Sequence, residues 1–208
     1  STAALESGAA IDRLTFPDRT VVPSCFDARP DLAGARGTAA YRTLVSQADE
    51  DAGELYFDGV GIWAAVFVDR ALCHVHRKPY SPFTVEVPAS QSAAGRLREL
   101  VVLIDNRFDT ESSPLQENYF DFYAYGGIFA PVGYTPLPAV HVTAVRVTTA
   151  SLDPPAINVD VDANTEVNLT LRYLVNGEDL SSTDTVDGTG TSTAHQIPLP
   201  EAGLWSPE

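Results

Sequence analysis

Methionine is absent from this 208-residue sequence, lysine occurs once, at Lys78, and cysteine twice, at Cys25 and Cys73. The missing initiator implies processing, or a piece cut from something longer. Thirteen basic residues against 28 acidic ones leave a net charge of −15. Such a surface repels nucleic acid and anionic membranes, which excludes both as partners. Abundant aspartate with almost no lysine also fits adaptation to high salt, where screening removes self-repulsion. The cysteines form no Cys-x-x-Cys pair; they read as one disulfide or as two buried thiols of a reducing cytoplasm, and their spacing suggests no metal site. Long hydrophobic runs are missing as well: Val60 to Val68 is the longest, too short to cross a bilayer. Ser1 to Ile11 lacks the charged-then-apolar order of a signal segment, so the reading favours a cytoplasmic over a secreted protein.

No window sustains a 3.6-residue apolar period with caps, which argues against a helical fold. What is present is the punctuation of an all-β chain: 14 glycines and 15 prolines are scattered along it, between short runs of alternating or continuous apolar residues. Thr38 to Val45, Phe83 to Val87 and Leu97 to Ile104 read as strands. Leu55 to Val68 carries apolar residues on both parities and reads as a hairpin buried between two sheets. Ile128 to Tyr134 reads as a closing strand, after which Pro136 and Pro138 mark a boundary. This gives two domains, 1–139 and 140–208. In the second, Val145 and Val147, then Ile157, Val159 and Val161, then Val167, Leu169, Leu171 and Tyr173 alternate with polar residues. Asn176-Gly177 and Asp187-Gly188 supply turn signals, and the spacing suggests a small immunoglobulin-like sandwich.

The candidate site lies in Asn118-Tyr119-Phe120-Asp121-Phe122-Tyr123-Ala124-Tyr125-Gly126-Gly127-Ile128-Phe129. Five aromatics crowd one acid, Asp121. Aromatic faces pack against the apolar faces of sugar rings, and a carboxylate among them accepts hydroxyl hydrogen bonds with charge-assisted strength. The competing reading makes the aromatics core residues and Asp121 the start of a turn.

Around this stretch stand Leu100 to Arg107, ending in Asp105-Asn106-Arg107, and His76 through Tyr80-Ser81-Pro82-Phe83; the sequence ends in Leu204-Trp205-Ser206-Pro207-Glu208. In this order the chain resembles, over nearly its whole length, the N-terminal region of family 2 glycoside hydrolases, the β-glucuronidase and β-galactosidase family. It departs from the family at Asp69-Arg70, where an Asn-Gly turn is usual, and at Arg77, Lys78 and Pro79, which replace an acid and two glycines.

The resemblance implies a jelly-roll-like, sugar-binding β-sandwich followed by an immunoglobulin-like domain. Together these would be the non-catalytic front of a retaining enzyme whose two catalytic glutamates lie on a (β/α)8 barrel of the same parent polypeptide. It also places Asp121 where the family carries a sugar-contacting aspartate. The expectations are therefore a β-glycoside as ligand, Asp121 as substrate-binding residue with Tyr123 and Tyr125 as further candidates, no catalytic residue in this chain, no cofactor and no metal. A homo-oligomer is left open. The alternative is a free-standing carbohydrate-binding or interaction module.

Other constellations are weaker. Glu111 and Glu117 neighbour Asp121, but on a polar loop that could not hold the roughly 5 Å separation of a retaining pair. His74 and His76 share a face of one strand but lack the third ligand of a zinc site, so they read as packing. Asp160-x-Asp162-x-Asn164 begins like a calcium loop, yet Thr165 stands where glycine must turn.

Overall fold

The computed structural model describes residues 11–46, 52–89, 97–108, 123–166, 169–170, 174–175, 178–179, 185–186 and 192–199. The chain divides into two compact units, Ser1–Leu137 and Pro138–Glu208. Among the described residues there are strands and two single 3₁₀ turns, Ile11–Arg13 and Phe26–Ala28, but no α-helix.

Among the described residues the first unit holds nine strands: β1 (Ser24–Cys25), β2 (Thr38–Ser46), β3 (Gly53–Phe57), β4 (Trp63–Val68), β5 (Ala71–His76), β6 (Phe83–Val87), β7 (Leu97–Asp105), β8 (Gly127–Ile128) and β9 (Val132–Pro136). They form an antiparallel sheet in the order β2-β7-β4-β5, a second in the order β6-β3-β9, and the short ladder β1-β8. Between the two larger sheets lies a core in which Val66, Val68, Leu100, Val102 and Ile104 meet Leu55, Phe57, Val85 and Val87. The other face of β4 and β7 is buried too. Trp63, Ala65, Phe67, Val101 and Leu103 form a second cluster with Ile11, Leu14 and Phe16 from the entry segment. Burial on both faces explains why β4 and β7 read as unbroken apolar runs.

That double burial corrects the expected hairpin over Leu55 to Val68. β3 and β4 belong to opposite sheets, and the chain crosses between them through Val60 and Ile62, both fully buried. Apolar residues on both parities there mark a strand covered front and back, not two paired strands. The expected closing strand Ile128 to Tyr134 is likewise two pieces: β8 pairs with β1 and β9 with β3.

The hairpin that does form is β4–β5, turning at Asp69 and Arg70, whose φ angles are +46° and +71°. Both lie in the left-handed region demanded by a tight two-residue hairpin turn. Asp69 holds this geometry without the usual glycine because its carboxylate receives the Arg98 guanidinium and the Glu99 N–H, and its own N–H donates to the Glu99 carbonyl. The sequence departs from the family's Asn-Gly here and replaces backbone freedom with side-chain bonds.

The second unit is also all-β. β10 (Val142–Leu152), β11 (Pro155–Ala163) and β16 (Ser192–Pro198) form an antiparallel sheet with β11 central. β12 (Leu169–Thr170) pairs with β15 (Thr185–Val186), and β13 (Leu174–Val175) with β14 (Glu178–Asp179). The β13–β14 register brackets Asn176-Gly177, although these two residues and Asp187-Gly188 lie outside the described residues. In place of a calcium loop, Asp162 bonds the Arg146 guanidinium, and Asn164 bonds the His141 N–H and the Ala139 carbonyl.

Candidate functional site

At one end of the first sandwich three chain segments are drawn together by a single buried amide. Asn106, fully buried, follows directly on β7. Its Oδ1 accepts from the Gly37 N–H at 2.8 Å, and its Nδ2 donates to the carbonyls of Ala35 and Ala124 at 3.0 Å each. A buried amide with these groups matched is strongly favoured over one left unmatched, so Asn106 pins the 34–37 loop and the 123–127 arm to the sheet. Beside it Asp105, 2% exposed, accepts from Thr38 Oγ1, the Arg107 N–H and the Arg107 guanidinium. Burial alone would raise its pKa, but the bonds from Arg107 and Thr38 outweigh that and hold it below the usual value.

The double glycine is required by close backbone contact. The Gly61 N–H donates to the Gly127 carbonyl at 2.9 Å, and the Phe26 N–H to the Gly126 carbonyl at 2.8 Å. A Cβ on Gly126 would sit 2.4 Å from the Phe26 ring and 2.8 Å from Asn106 Nδ2. Gly127, at φ +124°, would place one 2.6 Å from the Ser24 carbonyl oxygen.

On this base stand two aromatic rings that do not enter the core. Tyr123 is 44% and Tyr125 48% exposed, with centroids 4.7 Å apart and planes inclined by 49°. The Arg36 guanidinium lies 4.6 Å over the Tyr123 ring, a cation–π contact. The Tyr123 hydroxyl donates to Asp27 Oδ1 at 2.8 Å, which also accepts the Gly34 N–H at 2.8 Å. The Tyr80 hydroxyl donates to the Tyr125 carbonyl at 3.2 Å.

The electrostatics follow from these bonds. The Gly34 N–H, working against burial and helped by Tyr123 and Arg36, holds the Asp27 carboxyl below its usual range. The Tyr123 phenol is pushed up, chiefly by its bond to Asp27. Asp27 is thus a fixed anion. Its Oδ2 is inaccessible to solvent and has no hydrogen-bond partner among the described residues. Asp27 and Asp105 are both held low, the opposite of what a glycosidic general acid needs. The arrangement is suited to binding: an aromatic ledge with an anchored acid and an exposed guanidinium.

Of the expected site residues, Tyr123 and Tyr125 are brought side by side on the surface. Asp121, like Glu111 and Glu117, lies outside the described residues. Asp27, Arg36 and Asn106 were not among the expected residues. The signal for Asn106 was the polar triplet 105–107 closing an apolar run; Asp27 and Arg36 carried none. His74 and His76 lie elsewhere and flank Phe83, with centroids 5.3 and 4.0 Å from its ring. His76 Nε2 contacts the Lys78 carbonyl and Ser81 Oγ. Cys25 and Cys73 are free.

No protein-family model matches the chain. Over 96 residues, 46% of this chain and 11% of the relative, it is 30% identical to a provisionally named β-glucuronidase of Formosa agariphila. Among solved structures it is similar to a family 2 β-galacturonidase of Eisenbergiella tayi bound to galacturonate, at 23% identity and a TM-score of 0.67 over 93% of this chain and 36% of that one. It is also similar to a Ruminococcus gnavus β-glucuronidase in complex with uronic isofagomine, at 21% identity and a TM-score of 0.67 over 97% and 36%. Bacteroides uniformis β-glucuronidase 3 matches at 21% identity and a TM-score of 0.65 over 93% and 27%. The chain therefore spans about a third of these solved chains, and about a tenth of the curated relative. In motif order and in three dimensions alike, the chain has the fold of the N-terminal region of family 2 glycoside hydrolases, a jelly-roll-like sandwich followed by an immunoglobulin-like one.

Proposed function

We propose that this chain is the non-catalytic N-terminal part of a retaining family 2 glycosidase of the β-glucuronidase or β-galactosidase type. Its first sandwich completes the sugar pocket of a barrel domain belonging to the same parent polypeptide. The observation that carries this reading is the clipped arm 123–127. Asn106, Tyr80 and Asp27 each bond it, and it presents two half-exposed tyrosines immediately downstream of Asp121 in the chain. An arm fixed in this way keeps Tyr123 and Tyr125 in place without being ordered by the ligand. The similar solved enzymes hold galacturonate and uronic isofagomine, which supports an acidic sugar as the bound residue, and Arg36 supplies a cation on an otherwise strongly acidic protein. The acid–base chemistry is assigned to the barrel, because the carboxylates Asp27 and Asp105 are tuned to remain ionised.

The test is Asp121→Ala in the parent enzyme. A fall of tenfold or more in kcat/KM, about 1.4 kcal/mol of lost transition-state binding, is expected with the fold intact. Unchanged kinetics on glucuronide and galactoside substrates would remove the assignment.

A further inference from the structure

Four consecutive carbonyls of the tyrosine arm are each held by a different segment of the chain. Ala124 accepts from Asn106 Nδ2 at 3.0 Å, Tyr125 from the Tyr80 hydroxyl at 3.2 Å, Gly126 from the Phe26 N–H at 2.8 Å and Gly127 from the Gly61 N–H at 2.9 Å. Asn106, Phe26 and Gly61 are buried. Tyr80 is half-buried and reaches the arm from the loop between β5 and β6, 45 residues earlier in the chain. Its bond falls on the residue that carries the more exposed of the two rings.

The loop that supplies Tyr80 is a strained one. Lys78, Pro79, Tyr80 and Ser81 form a turn closed by the Ser81 N–H on the Lys78 carbonyl at 3.4 Å. Proline suits the second position of such a turn, and a left-handed third position ordinarily calls for glycine or asparagine. Tyrosine stands there instead, at φ +59°. A bulky side chain in that region is an outlier that persists only where its surroundings over-determine it, and such outliers cluster at functional sites. Here the Lys78 carbonyl also accepts from Ser81 Oγ at 2.9 Å and lies 2.6 Å from Nε2 of buried His76. The Tyr80 N–H donates to the Val60 carbonyl at 3.3 Å, and its ring lies 5.2 Å from that of Phe129. Glycine at this position would close the turn without strain. What tyrosine adds is a ring on Phe129 and a hydroxyl on the arm.

We propose that Tyr80 is a positioning residue: its hydroxyl fixes the peptide that follows Tyr125, and with it the direction in which the Tyr125 ring meets the sugar. The effect on the sugar rests on the pocket reading given above, whereas the effect on the arm does not. The Tyr125 N–H donates to the Tyr123 carbonyl at 2.7 Å, so the backbone turns tightly between the two rings. A swing of the Tyr125 peptide would therefore carry its ring away from Tyr123, out of the tilted contact at 4.7 Å.

Tyr80→Phe tests this, because it removes the hydroxyl and keeps the ring on Phe129. In the 208-residue chain, amide hydrogen exchange over residues 125–127 is expected to quicken about tenfold or more, with β4 and β7 unchanged. Ser81→Ala takes one donor from the Lys78 carbonyl and acts through Tyr80. It should give part of the same acceleration and add nothing to Tyr80→Phe in the double variant. In the parent enzyme, Tyr80→Phe should raise KM on glucuronide or galactoside substrates about three- to tenfold and leave kcat within about twofold. A merely structural role would lower the amount of folded enzyme without moving KM. Unchanged exchange over residues 125–127, equal quickening in β4 and β7, additive effects in the double variant, or a loosened arm with KM unaltered would each overturn the proposal. The kinetics of Asp121→Ala decide the sugar-pocket reading separately.

Discussion

Along the flank closed by β5 and β6, the sandwich is sealed by ring on ring: His74 and His76 against Phe83, and Phe83 against the fully buried Phe57. Along the flank bounded by β2 and β9, side chains of the same core line an open cavity, and Leu44 and Thr43 face solvent. The same two sheets therefore end once in stacked rings and once in a cavity walled in part by Phe16, Thr20 and Val22 of the entry segment. Aromatic side chains bury large areas and prefer offset stacked or tilted contacts, so four rings close a gap that shorter side chains would leave wet. The open flank has Phe16, Tyr41, Phe57 and Tyr134 in its walls.

If this contrast is energetic as well as geometric, removing a ring from the closed flank should cost most. Phe57→Ala is expected to lose about 3–5 kcal/mol in chemical denaturation, the usual cost of emptying a fully buried aromatic position. A loss below about 1 kcal/mol would mean that the closed flank is as loosely filled as the open one. A smaller effect is expected from acid. Burial lowers the pKa of both His74 and His76, with the proximity of His74 and Lys78 adding to the shift at His76. The unfolded chain then takes up protons first as the pH falls below about 6.5. Stability attributable to these histidines is complete above that pH and drains as the pH drops through the folded-state values. Denaturant midpoints should fall between pH 7.5 and 5, and His76→Gln should flatten the slope. An unchanged slope in the variant would place the titration elsewhere. The smallest effect is reserved for the open flank: Leu44→Ala, at a side chain 57% exposed, should shift stability by no more than about 0.5 kcal/mol. A cost of several times that would show that Leu44 is already covered in the isolated chain.

The strands themselves were legible because burial leaves a local imprint. The β4 and β7 runs could be read from continuous apolar residues, and β6 from its alternation. Which strand pairs with which was not, because pairing is decided by partners far away in the sequence. The misread hairpin over Leu55 to Val68 shows the limit: a strand buried on both faces and a pair of strands buried on one face each produce the same apolar string. The candidate site behaves likewise. Tyr123 and Tyr125 announced themselves as aromatics before a double glycine, but the acid bonded to Tyr123 comes from Asp27, 96 residues upstream. Nothing about an aspartate after a phenylalanine distinguishes it until the 34–37 loop folds against it. At Asp69-Arg70, the departure from a favoured turn sequence was visible, while the Arg98 and Glu99 bonds that make it tolerable were not.

The contact of Gly61 with Gly126 and Gly127 has a consequence for recognition. Here two stretches of main chain touch with no side chain between them, so the arm has little room to shift and few conformations to lose. The proposed sugar, bound at the tyrosines, would meet a seat whose ordering cost was met during folding, leaving more of the contact free energy to appear as affinity.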